Sequence, residues 1–498
     1  MNRREFLRMG LSAGMAAGLP MTSRANAKNQ NDGNTAKPNL VIVHTDEQNF
    51  RTLGCYRKLL SKDQAFVWGD GVNVETPYAD KLAEQGALCS SFYAASPVCT
   101  PSRASFVSGL YPYATGAGNN HEALNDNVVT FGEVLRKNGY STSYVGKWHL
   151  DGNEKPGFAP QRKFGFEDNR YMINRGHWKM FKEDENGFDF IGKFSPDKNK
   201  YKYELKDFNE TNYATDFLTD RTLEIIERDQ KKPFCVMLSI PDPHDPNNVR
   251  APYNKMYDDL EVQTPRTMTA ALESTPKWNS MKSKNAMKNM SSYLAKQYFG
   301  MVKCIDDNLG KLMKRLDELN LSKNTILVFT SDHGEMLGEH AKKNKGLPFE
   351  ASACVPFIIR YPENIRPGKL IRKAYTTTDF TPSILGMMGV DHKDYNFHGE
   401  DLSKDFTGQE SELLDDRVVY YRHAGGQWVA AVNSRYKLIF ASTYLDQEPV
   451  LYDLEKDPDE LKNFYEDPAY KSIADKMSAQ LKQKMNQFKE PKIDFISV

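Results

Sequence analysis

Six residues, Cys99-Thr100-Pro101-Ser102-Arg103-Ala104, place a sulfur nucleophile, two hydroxyls and a fixed cation close together in the chain. Pro101 suits the first turn of a helix, where its missing N–H costs nothing. Cys99 then falls at or just before that helix's N-terminus. Partial positive charge there favours an anion, whether thiolate, phosphate or sulfate. Arg103 is a permanent cation that can grip two oxygens of a tetrahedral anion. Ser102 and Ser105 add hydroxyls, and Gly109 ends the short helix. A buried cysteine beside a helix cap would show the same local pattern, so its meaning depends on what else converges there.

Other reactive groups stand where apolar runs stop. The run Asn39 to His44 ends in Thr45-Asp46-Glu47-Gln48, and Tyr140 to Val145 ends in Gly146-Lys147-Trp148-His149. Phe234 to Ile240 leads into Pro241-Asp242-Pro243-His244-Asp245-Pro246, and Thr325 to Thr330 into Ser331-Asp332-His333-Gly334-Glu335. Continuous apolar runs of this length suit strands buried on both faces. Open α/β sheets place ligands outside the carboxyl ends of parallel strands. Four such strands in one sheet would bring Asp46, Glu47, Lys147, His149, His244, Asp332 and His333 to Cys99. Oxygen-rich ligands with few nitrogens fit a hard cation such as Ca²⁺ or Mg²⁺.

The elements between these strands predict an α/β fold. It has a large mixed, mainly parallel sheet flanked by helices, and a smaller C-terminal α+β subdomain with an antiparallel sheet. Helices are expected from Thr76-Pro77 through Leu88, from the capping box at Thr130 to Glu133, over Thr219–Asp229 and over Ser291–Leu319. Thr378 to Thr381 is expected to cap a helix over Pro382–Met388. Residues 151–210, with Arg175, His177, Trp178 and Lys179, form an aromatic and charged insertion, read equally as substrate loop or decoration. Residues 250–290 read as a surface excursion. After about residue 400, short strands with turn signals near Val418, Trp428, Tyr436 and Val450, then a helix over Asp467–Phe488, make the second part. The expected boundaries are 1–27, 28–37, 38–400 and 401–498.

Cys-x-Pro-x-Arg followed by Ser108-Gly109, and then Gly139-Tyr140 through Gly146-Lys147-Trp148-His149-Leu150, resembles the two signature blocks of the type I sulfatases of the alkaline phosphatase superfamily. The family usually has Thr-Gly where this chain has Ser108-Gly109. The resemblance covers roughly residues 38–465. It implies that Cys99 is oxidised to formylglycine by a formylglycine-generating or anaerobic maturation enzyme, and that the aldehyde hydrate is the nucleophile. It implies a calcium ion on Asp46, Glu47, residue 99, Asp332 and His333. Glu47 departs from the commoner aspartate, and Gln48 or a water can stand in for it. Arg103 would neutralise sulfate oxygens and Lys147 bind nucleophile and sulfate. His244 and Lys345 would stabilise or protonate the leaving oxygen, and His149 would take the proton of the second hydroxyl. The segment Glu350 to Cys354 lacks the common Gly-Gly-x-Arg version. A carbohydrate sulfate is the substrate implied, with Arg175, His177 and Trp178 in the insertion, and Arg422, His423, Gln427 and Trp428 near the C-terminus, as candidate contacts.

The chain has 498 residues, 39% apolar and 27% charged, with zero formal charge. That balance gives no indication of a nucleic-acid partner. Asn2-Arg3-Arg4-Glu5-Phe6-Leu7-Arg8, a short apolar run and Ala25-Asn26-Ala27 read as a twin-arginine export signal, so a periplasmic or outer-envelope location is expected. Residues 28 to 37 read as a disordered lead-in. No later stretch has the length and apolarity of a transmembrane helix. The six cysteines match no zinc or disulfide framework, with Cys55 and Cys89 the one candidate pair. Two other readings remain at this point: a phosphonate or phosphate ester hydrolase of the same superfamily, and a non-catalytic glycan-binding protein with unconverted Cys99.

Overall fold

The computed structural model describes residues 37–195, 200–202, 204–270, 276–279, 292–410, 412–413, 416–442, 445 and 447–491. The twin-arginine segment, the lead-in up to residue 36 and parts of the 250–290 excursion lie outside them.

Nine strands make the main sheet: β1 (Asn39–Asp46), β2 (Ala87–Cys89), β3 (Ser141–Lys147), β4 (Asp168–Ile173), β5 (Phe234–Pro243), β6 (Thr325–Ser331), β7 (Phe357–Arg360), β8 (Lys369–Ile371) and β9 (Glu412–Leu413). Their order is β9-β8-β2-β7-β6-β1-β5-β3-β4. Only β7 runs antiparallel to its neighbours. The four runs that end in reactive groups are the adjacent parallel strands β6, β1, β5 and β3. Leu40 to His44 pair with Cys235 to Ser239 on one side and with Ile326 to Thr330 on the other. All eight residues of β1 are buried. Successive side chains point to opposite faces of a strand, so Val41 and Val43 join one core and Leu40 and Ile42 the other. That two-sided burial is why the run has no polar alternation.

Helices cover both faces. The helices α4 (Ala214–Asp229) and α5 (Ser292–Glu318) pack with each other and with β5. On the opposite face lie α2 (Cys99–Ser108), α3 (Phe131–Lys137) and α6 (Thr377–Met387). Phe106 of α2 stacks on Phe380 of α6 with ring centroids 3.8 Å apart.

Several local expectations shift. The helix from Pro77, α1 (Pro77–Gln85), stops before Leu88. Gly86 lies so close to β7 that an added Cβ would be 2.1 Å from the Ile359 carbonyl oxygen. The chain then enters β2, and Leu88 is a strand residue. The cap of α6 is Thr376, with Asp379 completing a capping box, so Thr378 to Thr381 are helical rather than capping. The 151–210 insertion is not irregular throughout. It supplies β4 to the main sheet and two hairpins, Phe181–Asp184 with Gly187–Phe190 and Lys193–Ser195 with Lys200–Lys202. Cys55 and Cys89 are both free thiols, as are the other four, so the candidate disulfide does not form.

The C-terminal sheet has the antiparallel order β10 (Val419–Arg422), β11 (Trp428–Val432), β12 (Tyr436–Ala441), β13 (Val450–Asp453) and is packed by α7 (Lys471–Gln487). It reaches back to the catalytic part: the Tyr421 hydroxyl and Lys437 Nζ both donate to the Pro348 carbonyl, at 2.7 and 2.9 Å. Among the described residues no helix is long and apolar enough to cross a membrane.

Candidate active site

The site is built around the first turn of α2. Val98, in extended conformation, precedes the helix, and Cys99 is its first residue. Gly109 ends it with φ +70°, the left-handed conformation that favours glycine. All ten helix residues are buried, so Cys99 and Arg103 are held one turn apart on a rigid element.

Arg103 ties the helix to the ends of three strands. Its Nε donates to Asp332 Oδ2 at 2.8 Å, and its Nη1 to the Lys147 carbonyl at 2.8 Å and to Ser239 Oγ at 2.7 Å. Its Nη2 is buried and makes no hydrogen bond, a donor left for an anion. Ser102 Oγ donates to the Asp332 carbonyl, fixing the helix against the same strand end.

Asp46, Cys99, Asp332 and His333 form one buried group whose ligand atoms all lie within 4.8 Å of one another. His333 Nε2 is 3.1 Å from Cys99 Sγ, and its Nδ1 is 3.0 Å from the Gly334 carbonyl. That carbonyl accepts, so Nδ1 carries the proton and Nε2 faces the cluster. Burial alone would raise the Asp46 carboxyl, but the touching Lys147 ammonium together with His244 and His177 outweighs it and holds the group well below the usual range. Burial pushes Asp332 up, and the like charge of Asp46 adds to the push. A cation held by both carboxylates would relieve that repulsion. The Cys99 thiol is lowered: burial opposes ionisation, but Lys147, Lys345 and His333 together overcome it.

The structure does not bring Glu47 into that cluster. Its φ is +68°, and its side chain turns away from Asp46. Oε2 lies 2.9 Å from His244 Nε2 and 3.0 Å from Lys345 Nζ. Burial would raise Glu47, but His244 and Lys345 hold it well down. Burial and Glu47 push the neighbouring Glu335 up to about 8. Burial opposes a charge on His244, but Glu47, Asp46 and Asp245 together overcome this and raise it. His244 Nδ1 lies 2.9 Å from the Asp245 carbonyl and 2.8 Å from Asp245 Oδ1, so it is a donor.

His149, at φ +64°, leaves the end of β3 with its ring beside Cys99, and burial lowers it to about 3. His177 is the one insertion candidate that reaches the centre. Its Nε2 is 2.8 Å from Lys147 Nζ, and its ring stacks on His244 at 3.5 Å. Arg175 stands further out, on the Asn153 carbonyl at 3.2 Å. Trp178 is packed instead: its ring stacks on Phe190 and its Nε1 donates to the Arg175 carbonyl. Arg422 is likewise a buried structural residue, paired with Glu490 at 2.7 Å, and Trp428 is fully buried. His423 lies on the turn before β11, its Nδ1 accepting from the Gln427 N–H at 3.4 Å.

A Sulfatase family model matches residues 38–390, which spans every strand end that lines this site. The chain belongs to the sulfatase family. A second model, N-sulphoglucosamine sulphohydrolase, C-terminal, matches residues 338–487 of the sulfatase, the stretch holding the antiparallel sheet. The Ulvan-active sulfatase of Formosa agariphila is 28% identical over 90% of this chain and 81% of that protein. The N-acetylglucosamine-6-O-sulfatase of Bacteroides thetaiotaomicron is 25% identical over 95% of this chain and 90% of its own. A solved structure in complex with its substrate D-glucosamine-2-N,6-O-disulfate shares the fold. Its TM-score is 0.71 at 21% identity, covering 92% of this chain and 99% of that one. The sulfatase is a sulfuric ester hydrolase of the alkaline phosphatase superfamily.

Four residues of the sulfatase site are not among the motif residues. Lys179, fully buried, contacts Asp242 and donates to the His244 carbonyl at 2.8 Å, fixing the His244 loop. Ser239 receives Arg103. Asn120 and His121 form a loop over the start of α2: Asn120 Oδ1 accepts the Thr100 N–H at 3.1 Å, and the His121 N–H reaches Thr100 Oγ1 at 3.3 Å. Polar loop residues of this kind leave no periodic signal. Only the run Asn119-Asn120-His121, with two amides beside a histidine, marks the place.

Proposed function

We propose that the protein is an exported sulfatase that removes sulfate from a carbohydrate, with Ca²⁺ at the acidic cluster and formylglycine at position 99. The observation that carries this is the meeting of Asp46, Asp332, His333, Arg103, Lys147, His149, His244 and Lys345 around one side chain, from the ends of four adjacent strands, from α2 and from one loop.

The donor set fits a hard cation: two carboxylates and a histidine nitrogen in a closed site, with no second thiol. Asp46, Asp332 and His333 would hold it, and it would supply charge neutralisation for sulfate oxygens and for the nucleophile. Oxidation of Cys99 would supply an aldehyde whose hydrate is a geminal diol nucleophile. Arg103, fixed by Asp332 and Ser239, offers Nη2 to the sulfate. Lys147 and His177 add donors on one flank. Lys345 and His244, 2.6 Å apart, lie together on the other side of Glu47's carboxylate and serve the leaving oxygen as proton source and positive charge. His149 faces residue 99 to exchange a proton with it.

A glycan substrate is supported by the names of the relatives, an ulvan-active sulfatase and an N-acetylglucosamine-6-O-sulfatase, and by the D-glucosamine-2-N,6-O-disulfate bound in the structural neighbour. Export is supported by the Arg3-Arg4 pattern and the small-residue site at Ala25-Asn26-Ala27. The test is turnover of an aryl sulfate against aryl phosphonate and phosphate esters, followed by a panel of sulfated mono- and oligosaccharides. Preference for the sulfate and then for one sugar position supports the reading. Preference for the phosphonate overturns it.

A further inference from the structure

His121 stands between His149 and solvent, and its place there decides where the proton on His149 sits. Its Nδ1 is 2.9 Å from His149 Nε2, and its Nε2 is 3.1 Å from Arg175 Nη2. An arginine guanidinium can only donate. His121 Nε2 is therefore the acceptor, and the proton of neutral His121 is on Nδ1. That Nδ1–H donates to His149, so His149 Nε2 is an acceptor and its own proton is on Nδ1. His149 Nδ1 is buried and has no other hydrogen-bond partner, while the same ring lies against Cys99. Each ring has one nitrogen that accepts a hydrogen bond, so both are neutral.

The geometry is expensive to hold. His121 has φ +72° and His149 φ +64°, left-handed conformations that are uncommon for residues other than glycine, and such strain gathers at functional sites. The His121 loop is tied to the first turn of the residue-99 helix through Thr100 on both its backbone N–H and its side chain. Thr100 Oγ1 in turn donates to the His149 carbonyl at 3.0 Å. Loop, helix and histidine are locked as a unit.

We propose that His121 is a positioning residue that, with Arg175, places the proton of His149 on Nδ1, so that His149 presents N–H rather than a lone pair to residue 99 before substrate binds. The Nε2–H form, which free neutral histidine favours, would present a lone pair instead. A base role for His149 then requires the Arg175–His121 bond to let go first. Arg175 is half-exposed at the mouth of the site, where an anionic group of the substrate can draw it off. As Arg175 leaves, His121 Nε2 takes a proton from solvent, the His121 Nδ1 proton passes along the hydrogen bond to His149 Nε2, and His149 gives up its Nδ1 proton to water in the opened site. His149 then donates from Nε2 to His121 Nδ1, and its Nδ1 lone pair can take a proton from a hydroxyl of residue 99 in its hydrated aldehyde form.

The proton assignment rests on hydrogen bonding alone, and its catalytic consequence rests on the sulfatase reading. Long-range ¹H–¹⁵N correlation spectra of the ¹⁵N-histidine-labelled protein read the tautomer, with His149 assigned by its absence in His149→Gln. The expected result is protonation at Nδ1 in the wild type and in His121→Asn, whose amide keeps a donor, and at Nε2 in His121→Ala. In the arrangement that acts as base, His121→Ala leaves His149 Nε2–H without the acceptor that orients its ring, so kcat should fall about 10- to 100-fold with KM little changed, and His121→Asn, whose amide oxygen can accept, should recover most of that loss. A wild-type His149 protonated at Nε2, or on both nitrogens, overturns the proposal. So does an unchanged Nδ1–H in His121→Ala. If the Nδ1–H form is found but no sulfate ester is turned over, the functional reading falls and the proton assignment stands.

Discussion

Lys345 Nζ stands 2.6 Å from His244 Nε2, although 101 residues separate them. Both contact the Glu47 carboxylate, so a cation and an imidazole share one counter-charge. Removing Lys345 should matter in proportion to how badly the leaving group needs a proton. Lys345→Ala is expected to lower kcat on a sugar sulfate by about 10²–10⁴-fold, the range for general acid–base catalysis, and to leave an activated aryl sulfate much less affected. A Brønsted plot over aryl sulfates measures this. Equal losses across the series would remove the proton-donor role.

Cys99 is fully enclosed by the charged residues that would use it, and nothing else in that shell is a nucleophile of comparable power. Cys99→Ala should abolish turnover while the unfolding midpoint stays close to wild type. The mass of the tryptic peptide containing residue 99 reports loss of sulfur in the matured enzyme. Turnover by Cys99→Ala, or an intact thiol in fully active enzyme, would rule out the oxidised side chain.

Asp46 and Asp332 share a buried site in which like charge disfavours ionising both. A cation removes that penalty, so metal and fold should be linked. Chelation by EGTA should lower the melting temperature and abolish activity, and Ca²⁺ should restore both. Saturation at about 100 times Kd corresponds to about 2.7 kcal/mol of stabilisation. Asp332→Ala should lose bound metal, activity and the calcium-dependent shift together. A variant that keeps stoichiometric metal places the ion elsewhere.

Lys437 is fully buried on β12 and pairs with Glu460 at 2.6 Å and Glu350 at 2.8 Å while holding the Pro348 carbonyl. Burial would lower this lysine, but the two glutamates overcome it and keep it charged. Lys437→Met leaves the carboxylates without their cation, an effect of about 3–5 kcal/mol. It also frees the loop that starts at Lys345. Urea unfolding should show the stability loss, and kcat should fall more than affinity for sulfate. A variant as stable as wild type would show that the buried Lys437 contributes no net stability.

His398 is lowered to about 4 by burial, with its Nδ1 accepting the Tyr111 N–H at 3.1 Å and its ring beside Phe488. It folds in the neutral form. In the unfolded chain it takes a proton near pH 6.5. Between about 6.5 and about 4 the unfolded state binds more protons, so this residue's contribution to stability falls as pH drops. His398→Asn should flatten the pH dependence of the urea midpoint across that window. An unchanged slope would show that His398 does not titrate there.

Much of the fold was legible because three of the four central strands, β1, β5 and β6, are apolar on both faces, a pattern that half-exposed strands do not produce and whose short length favours a strand over a helix. Leu40 to Val43 reads as an interior strand, and Cys99-x-Pro-x-Arg as a helix start with a cation one turn on. The end of α1 was misread because Leu88 continues the apolar spacing. What stops the helix is the backbone of Ile359, 273 positions beyond Gly86 and pressed against it. Trp178 and Arg422 looked like sugar contacts by residue type, and packing with Phe190 and Glu490 turns them inward.

The chain's own order settled which chemical groups are present and that they stand at strand ends, since strand burial and helix starts are written in neighbouring residues. Which group meets which was decided by the tertiary structure. Glu47 could have joined Asp46 at the cation, but a left-handed backbone turns it toward Lys345 and His244. His121 gave no sign of touching His149, and Lys179 none of holding His244. These contacts depend on sheet order, loop dihedrals and the way an insertion folds back. They are set by distant parts of the chain competing for the same space, and local residue pattern carries no record of that competition.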